Sequence, residues 1–404
     1  MHVQRWQPTR YRLAFLLLVL AVLIAATAAP TPATAQRPER EVPVPVIEGA
    51  GELIKDQYIA VFKDNTVDAG PLATRLVQAH GGELLRSYEH ALKGFAARLV
   101  PEGVEALERN SHVAFIEPDR IVSILDTQSP ATWGIDRLDQ RNLPLSNSYT
   151  YDASGAGVNV YVIDTGIHLS HSEFGGRAVS GFDAVDGGSA DDCHGHGTHV
   201  AGTIAGGTYG VAKNAKVHAV RVLGCKGLGQ LSNILAGLDW VTAHHVKPAV
   251  ANMSLGGKGS KAIDYAVHNS IHAGITFAVA AGNSDRNACF FSPARVPSAI
   301  TVGASDSSDA RSSFSNWGRC VDIFAPGSEI TSAWNTASDA VATYSGTSMA
   351  TPHVAGVAAL YLERNRDASP SEVRNALVNN ATSGALSNLR GQSPNLLLYS
   401  PFTD

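Results

Sequence analysis

Residues 158–164 read Val158-Asn159-Val160-Tyr161-Val162-Ile163-Asp164, an apolar and mostly β-branched run that ends on a single carboxylate. The run lacks the polar alternation of a half-exposed strand and is typical of a strand buried on both faces of a parallel sheet. Similar runs recur along the chain, at residues 217–223, 249–255, 276–280, 300–303 and 321–324. The sequence therefore predicts a parallel sheet in which the first of these strands ends at Asp164.

Helical patterns lie between these strands. Small side chains dominate residues 199–205, two amphipathic segments span residues 231–244 and 261–272, and a long apolar segment spans residues 348–364. Ser369 and Glu372, three residues apart, indicate a capping box ahead of a further helix. This alternation predicts an α/β fold, a doubly wound, mainly parallel sheet flanked by helices. Because ligands of such sheets bind beyond the carboxyl ends of the strands, site residues are expected at strand ends and helix starts.

The composition is that of a compact folded protein. Only 17% of the 404 residues are charged, 44% are hydrophobic and 38 are glycine, which favours tight turns and close backbone packing over disorder. The formal net charge of -5 is spread thinly and no block of like charge stands out. Nucleic acid is therefore excluded as an expected partner.

The first 35 residues are typical of a signal peptide. Three arginines precede the apolar stretch 13–29, which is followed by Ala33-Thr34-Ala35, a small-x-small cleavage site. A membrane anchor is the alternative interpretation. The apolar stretch is slightly short for a relaxed membrane span, and a cleavage site follows at once, so we expect export with cleavage and no membrane attachment afterwards.

Residues 36–125 form a second region. A linker rich in proline and charge runs to about residue 50, and the rest combines three strand patterns (residues 58–62, 94–99 and 113–116) with two helical ones (residues 71–79 and 101–108). This pattern predicts a small α+β domain without chemistry of its own. The α/β domain is then expected to span residues 126–404.

The cysteine count fits an exported protein. The four cysteines, Cys193, Cys225, Cys289 and Cys320, all lie in the predicted α/β domain, and an even number favours disulfides, with three possible connectivities. Metal ligation is the alternative, but the sequence contains no Cys-x-x-Cys or Cys-x-x-His pair to support it.

Three residues at predicted strand ends and helix starts combine into a plausible catalytic group. Asp164 ends its strand, His196 precedes the small-residue helix, and Ser348 begins the long helix. A carboxylate that orients an imidazole, an imidazole that takes a proton and a hydroxyl that attacks are what acyl transfer needs. Two donors are expected to stabilise the oxyanion: the Ser348 backbone N–H and the side chain of Asn283, which follows another apolar strand. Taken singly, each residue is more often a cap or a turn residue.

Three sequence blocks resemble the signature blocks of the subtilisin-like serine proteases. They are Val162-Ile163-Asp164-Thr165-Gly166, Gly195-His196-Gly197-Thr198-His199 and Gly346-Thr347-Ser348-Met349-Ala350, in the Asp, His, Ser order of that family. Residues 292–294, 301–306 and 312–316 most resemble the proteinase K and aqualysin branch. The resemblance covers residues 130–400, and the region before it is similar to the inhibitory propeptides of the same family.

The resemblance implies roles for individual residues. Asp164, His196 and Ser348 would form the triad, with Asn283 in the oxyanion hole. A peptide substrate would lie as an added strand between two segments, Ser254-Leu255-Gly256 and Gly227-Leu228-Gly229, with an apolar or aromatic P1 side chain. The cysteine spacings resemble two bridges of the aqualysin type, Cys193 to Cys225 and Cys289 to Cys320. His199, three residues from His196, would be structural rather than a metal ligand.

Calcium is the cofactor that the resemblance implies, at one or two structural sites. Pro297 and Ala299, through their backbone carbonyls, and Asp322 match one family site, and such oxygen ligation suits the ion. Asp136, Asp139 and Gln140 resemble part of a second site. There Ser146 and Ser148 stand where some relatives have acidic or amide residues, so turn residues without an ion are an equal alternative.

The resemblance also predicts a zymogen. The early domain would assist folding and block the cleft as an intramolecular inhibitor, and self-cleavage near Leu125 or Asp126 would release a mature enzyme, expected to be a monomer. Two alternatives are a hydrolase of another fold and an inactive binding protein. An α/β-hydrolase would need Gly-x-Ser-x-Gly with its acid and histidine after the serine, and here both precede it. An inactive relative would be expected to lack a member of the triad or the oxyanion donor.

Overall fold

The computed structural model describes residues 53–63, 65–66, 68–90, 92–120 and 126–401. The predicted signal peptide and linker, and residues 121–125 before the expected cleavage site, lie outside these ranges. Among the described residues, no helix combines the length and the apolar character that crossing a membrane requires.

Residues 53–120 form a four-stranded antiparallel sheet with two helices. In chain order the elements are β1 (Leu53–Phe62), α1 (Ala69–Ala79), β2 (Glu83–Tyr88), β3 (Gly94–Arg98), α2 (Pro101–Glu108) and β4 (Val113–Arg120). The strand order is β2-β3-β1-β4. Phe62 and Phe95 of the sheet share one core with Val77 of α1 and Leu107 of α2, so both helices cover the same face. The small α+β domain is confirmed, but β2 was missed because its Glu-Leu-Leu-Arg-Ser-Tyr sequence has no clean alternation.

The following domain begins with a short antiparallel sheet. This sheet pairs β5 (Asp126–Gln128) with β6 (Tyr149–Tyr151), and helix α3 (Trp133–Asp136) lies between the two strands in the chain. Thirteen further strands follow: β7 (Asn159–Asp164), β8 (Ala178–Asp183), β9 (Lys216–Arg221), β10 (Ala249–Met253), β11 (Gly257–Lys258), β12 (Thr276–Ala280), β13 (Phe291–Ser292), β14 (Ile300–Ser305), β15 (Ile323–Pro326), β16 (Ile330–Ala333), β17 (Val341–Tyr344), β18 (Thr382–Ser383) and β19 (Leu396–Leu397).

Nine of these strands form the main sheet, in the order β18-β19-β15-β14-β12-β10-β7-β9-β8. Every neighbouring pair is parallel except β18–β19 at one edge. The mainly parallel sheet is therefore confirmed. The edge strands β8 and β18, and the two-residue strand β19 beside β18, were missed, because strands at the margins of a sheet need less apolar sequence than the central ones.

Five helices flank the main sheet: α4 (His196–Ala205), α5 (Leu231–His244), α6 (Lys261–His272), α7 (Thr347–Arg364) and α8 (Pro370–Asn380). Val160 and Val162 of β7 belong to one core with residues of α4, α7 and α8. Tyr161 and Ile163 of the same strand belong to a second core with residues of α5 and α6. The strand is thus buried on both faces, as its sequence predicts. The capping box of Ser369 and Glu372 at the start of α8 is also confirmed.

Candidate active site

Asp164 is the last residue of β7 and is fully buried. Its Oδ1 accepts hydrogen bonds from His196 Nδ1 at 2.7 Å and from the Thr165 backbone N–H at 2.8 Å. Because an ionised carboxylate only accepts hydrogen bonds, the imidazole carries its proton on Nδ1 and its lone pair on Nε2. The end of β7 therefore fixes the tautomer of His196.

His196 is the first residue of α4, and its side chain is 23% exposed, so the ring borders solvent. The preceding Gly195 has a φ of 109°, a conformation that strongly favours glycine. A Cβ atom on Gly195 would also lie 2.4 Å from the ring of Trp334. Glycine at this position thus sets the direction in which the chain enters the helix, and with it the position of the imidazole.

Opposing effects act on the pKa of His196. Burial of the ring disfavours its protonation, whereas the charge and hydrogen bond of Asp164, together with the charge of Asp192, favour it. The carboxylates prevail, so the pKa of His196 lies above its ordinary value. A ring of this basicity is suited to accepting a proton from a hydroxyl.

Ser348 is the second residue of α7. Its Oγ donates to the backbone carbonyl of Ser254 at 3.0 Å, and the Ser254 Oγ donates to the backbone carbonyl of Ser348 at 2.8 Å. In the described residues the Ser348 hydroxyl is therefore bonded to Ser254 and not to His196. Transfer of its proton to His196 requires a rotation about the Cα–Cβ bond of Ser348.

The side-chain amide of Asn283 is oriented by Thr347. Its Oδ1 accepts from the backbone N–H and from the Oγ1 of Thr347, both at 2.8 Å. The Nδ2 lies on the side of Gly346, where a Cβ atom would approach it to 3.3 Å. The amide thus presents its N–H groups near the residues that precede Ser348, where an oxyanion donor is needed.

Two adjoining pockets surround these residues. One, of about 280 Å³, is lined by small residues including Gly256 and Ala281, by Asn283 and Ser348, and by Phe291. The other, of about 400 Å³, is lined by His196, by the predicted residues Gly227, Leu228 and Gly229, and by Ser254, Leu255 and Gly256. All six predicted substrate-binding residues therefore border the cleft beside the candidate triad.

His199 and His194 differ in environment. His199 is buried in α4, its Nε2 lies 3.0 Å from Ile330 O and 3.2 Å from Ala342 O, and burial lowers its pKa to about 4. An imidazole N–H that donates to carbonyls is not available to a metal, which agrees with a structural role. His194 lines the larger pocket with His196 and accepts from the His196 backbone N–H at 3.3 Å.

The four cysteines form two disulfides, Cys193–Cys225 and Cys289–Cys320, the pairing that the resemblance implies. The first joins the loop before His196 to the segment that continues into Gly227. It thus connects the candidate base to one wall of the cleft.

The residues predicted to bind calcium fall into two groups with different bonding. In the first, both carboxylate oxygens of Asp322 already have partners, since Oδ2 accepts from the Thr301 N–H at 2.8 Å and Oδ1 pairs with Arg374. In the second, Asp139 Oδ2 accepts from the Thr150 N–H at 2.6 Å, but its buried Oδ1 has no hydrogen-bond partner among the described residues. Burial, with repulsion from Asp136, raises the pKa of Asp139. A bound cation would give the buried Oδ1 a partner and would offset the burial and repulsion that disfavour the ionised carboxylate.

The other side chains of the second group already accept hydrogen bonds. Asp136 accepts from Ser146 N and Asn147 N, and Gln140 Oε1 also accepts from Ser146 N. The described ranges contain no group of three or more His, Cys, Asp or Glu side chains that could hold a metal ion. A calcium ion at either place must therefore take most of its ligands from carbonyl, amide and hydroxyl oxygens.

The sequence interpretation missed the roles of Thr347 and Asp192, and it missed the contact with Ser348 of Ser254, which it predicted only to bind substrate. Thr347 orients Asn283, Ser254 contacts Ser348 through its side chain, and Asp192 binds the start of α4. For Asp192 a signal was present, because an acidic residue four positions before a helix start can accept free backbone N–H groups. The other two contacts join segments that lie far apart in the chain.

The chain is similar to known proteases over most of its length. Residues 155–393 match the subtilase family, and residues 57–125 match the peptidase inhibitor I9 family. An extracellular serine proteinase of Thermus sp. strain Rt41A is 53% identical, over 96% of this chain and 98% of its own length. The alkaline serine exoprotease A of Vibrio alginolyticus is 50% identical, over 86% of this chain and 68% of its own.

The solved structures include a similar protein. A cold adapted subtilisin-like serine proteinase is 56% identical, superposes with a TM-score of 0.66, and covers 67% of this chain and 99% of its own. These matches confirm the predicted resemblance and the predicted fold.

Proposed function

The chain belongs to the subtilase family of serine proteinases, and on that premise we propose that Asp164, His196 and Ser348 are its catalytic triad. The observation that carries this proposal is the 2.7 Å hydrogen bond between Asp164 and His196 at the carboxyl edge of the sheet. It leaves the Nε2 lone pair free to act as a general base. Ser348 lies in the first turn of α7, the helix that packs over the same sheet.

The reaction follows from these groups. His196 Nε2 takes the proton of Ser348 Oγ once the hydroxyl has turned away from Ser254 O, and Oγ attacks the peptide carbonyl. The resulting imidazolium is stabilised by Asp164 and returns its proton to the leaving amine. Water then releases the acyl group from Ser348 by the same route in reverse.

The developing oxyanion needs donors on the Ser348 side of the cleft. The Ser348 N–H, at the positive end of α7, and the Nδ2 of Asn283 are the proposed pair. Loss of one such donor typically costs about 3 to 4 kcal/mol of transition-state stabilisation.

A substrate peptide is proposed to pair with the residue 254–256 and 227–229 segments as an added strand. Its P1 side chain would enter the pocket of about 280 Å³. Because Gly256, Gly257, Ala280 and Ala281 line that pocket together with Phe291, a large apolar or aromatic P1 side chain is favoured.

The early domain is proposed to be an inhibitory propeptide. Its match to the peptidase inhibitor I9 family supports this role. We propose that the enzyme itself cleaves the chain near Leu125 or Asp126. The name of the Thermus relative, an extracellular serine proteinase, supports export after removal of residues 1–35.

Calcium is proposed as a structural ion. Asp139, with Asp136 and Gln140, suits it because the buried Oδ1 of Asp139 lacks a partner among the described residues. The set of Pro297, Ala299 and Asp322 rests on the resemblance, since Arg374 already balances the charge of Asp322. In either place the ion would hold loops together and take no part in the chemistry.

The experiment is expression of the full chain with assay of the secreted protein on a peptide anilide with Phe at P1. Wild type is expected to mature and to hydrolyse the substrate, whereas Ser348→Ala accumulates an unprocessed chain without activity. Ser371→Ala, at an exposed serine of α8, serves as the matched control and behaves as wild type. Turnover by Ser348→Ala would overturn the proposed triad, and normal maturation of that variant would show that another protease does the cutting.

A further inference from the structure

Asp192 is a second carboxylate close to the candidate base. It is 8% exposed, and it lies four residues before His196. Its Oδ1 accepts from the backbone N–H groups of His194 and Gly195, both at 2.9 Å. Its Oδ2 accepts from the Thr198 N–H at 3.0 Å and from the Thr198 Oγ1 at 2.6 Å. Four donors thus converge on one carboxylate at the start of α4.

The same network reaches the segment that carries Asp164. Thr198 Oγ1, which donates to Asp192, accepts from the His168 backbone N–H at 2.9 Å. One residue before Thr198, the Gly197 N–H donates to Thr165 Oγ1 at 2.9 Å. The first turn of α4 is therefore bound on one side to Asp192 and on the other to residues 165–168. Both halves of the Asp164–His196 pair depend on these bonds for their relative position.

We propose that Asp192 is a positioning residue for catalysis, which holds the first turn of α4 against the Asp164 segment and places a second negative charge beside His196. The proposal rests on the proposed function, since it requires His196 to be the base. Asp192 contacts the backbone around His196 and the side chain of Thr198, and acts through them.

The charge of Asp192 adds to that of Asp164. Burial opposes protonation of His196, Asp164 favours it most strongly, and Asp192 adds a smaller effect in the same direction as Asp164, so that the pKa of the ring lies above its ordinary value. The other titratable groups near the ring are His194, whose ring centroid lies 6.3 Å away, His199 one turn along α4, and Lys226 across the larger pocket. Among these described groups the two aspartates carry the negative charge, so removal of the Asp192 charge is expected to lower the pKa of His196.

Two variants separate the charge from the positioning. Asp192→Asn removes the charge and leaves Thr198 facing an amide N–H group, so both effects change. Thr198→Val keeps the carboxylate and its backbone bonds but removes the link to His168. Thr198→Ser keeps the hydroxyl and is the conservative control.

The measurement is kcat/KM against pH on the peptide anilide, with circular dichroism and Tm to confirm folding. Asp192→Asn is expected to lower kcat/KM several-fold at its pH optimum. The acid limb of its pH profile is expected to move to lower pH by about half a pH unit or more. Thr198→Val is expected to lose activity several-fold with the acid limb unmoved, and Thr198→Ser to match wild type.

A folded Asp192→Asn enzyme with an unmoved acid limb would overturn the proposal. If Asp192→Asn does not fold, Thr198→Val decides, because unchanged activity in that variant contradicts the positioning role and a several-fold loss supports it. His196→Ala separates a failure of the proposed function from a failure of the role proposed for Asp192. Turnover by that variant would refute His196 as the base, whereas its inactivity with an unmoved limb in Asp192→Asn would refute only the role of Asp192.

Discussion

Ser254 and Ser348 are joined by two hydrogen bonds that run in opposite directions. The hydroxyl of Ser348 donates to the carbonyl of Ser254 at 3.0 Å, and the hydroxyl of Ser254 donates to the carbonyl of Ser348 at 2.8 Å. The Nδ2 of the buried Asn252 donates to Ser254 Oγ at 3.0 Å, which extends the chain of bonds back into β10. The start of α7 is thus tied to the strand beside it, where the substrate is expected to bind.

Replacement of Ser254 by alanine removes one of the two bonds. We expect Ser254→Ala to lower kcat about fivefold, with a smaller change in KM, because a hydrogen bond that positions the nucleophile is worth about 1 kcal/mol. The Tm should fall as well, since Asn252 Nδ2 is left without its partner. Steady-state kinetics and thermal melting measure both effects, with Ser232→Ala, at an exposed serine of α5, as the control. An unchanged kcat would contradict the positioning role of this bond.

Thr347 sets the orientation of the Asn283 amide. Thr347→Val removes the Oγ1 donor and is expected to lower kcat about tenfold at similar KM, because the amide then keeps only its bond from the Thr347 backbone N–H and the oxyanion donor is less well placed. Thr347→Ser retains the hydroxyl and should preserve most of the activity. Measured kcat and KM for both variants test this. A larger loss in Thr347→Ser than in Thr347→Val would show that the methyl group, and not the hydroxyl, is what matters.

Acid should destabilise the fold through buried histidines. Burial lowers the pKa of His353 and of His199 to about 4, so each is neutral in the folded protein while the unfolded chain protonates it below its ordinary pKa of 6.5. The unfolded state then binds more protons, and the free energy of unfolding falls as the pH falls from 6.5 to 4, by on the order of 3 kcal/mol for each histidine.

Denaturant midpoints from pH 7 to pH 4 measure this dependence, with enzyme inactivated by phenylmethylsulfonyl fluoride to prevent self-digestion. His353→Gln is expected to be less stable at pH 7 and to show a shallower dependence on pH. A dependence as steep as that of wild type would mean that His353 does not contribute to it.

Calcium should stabilise the protein through Asp139. Thermal melting of the inactivated enzyme in calcium and in chelator is expected to give a lower Tm in chelator, because an ion that binds only the folded state stabilises it. In Asp139→Asn the difference should shrink, whereas Asp322→Asn tests the other predicted site separately. If neither variant changes the difference, calcium binds elsewhere, and if chelator has no effect on wild type, a structural ion is excluded.

The sequence was sufficient to predict the central sheet and its helices. Buried parallel strands carry nearly continuous apolar runs, so β7, β10 and β12 were recognisable, and α5 and α6 were predicted with the bounds that they have. No such signal marks the two-residue strand β18 at the sheet edge, its neighbour β19, or the hairpin of β16 and β17. Their pairing depends on neighbours that are remote in the chain.

The candidate site was predictable only in part. Asp164, His196, Ser348 and Asn283 follow from strand ends, helix starts and the resemblance. The Ser254–Ser348 bonds join residues 94 positions apart, and the Thr347–Asn283 bonds join residues 64 positions apart. No local sequence pattern predicts such contacts. The unpaired Oδ1 of Asp139 likewise depends on how residues 136–150 fold around it.

The proposed mechanism depends on activation of the Ser348 nucleophile by His196. The most direct test is reaction of the mature enzyme with a peptidyl diphenyl phosphonate that carries Phe at P1, followed by intact mass and peptide mapping. We expect one phosphonate per chain, attached to Ser348, and a rate about 10²- to 10⁴-fold lower in His196→Ala. Attachment to a different residue, or an undiminished rate in His196→Ala, would contradict it.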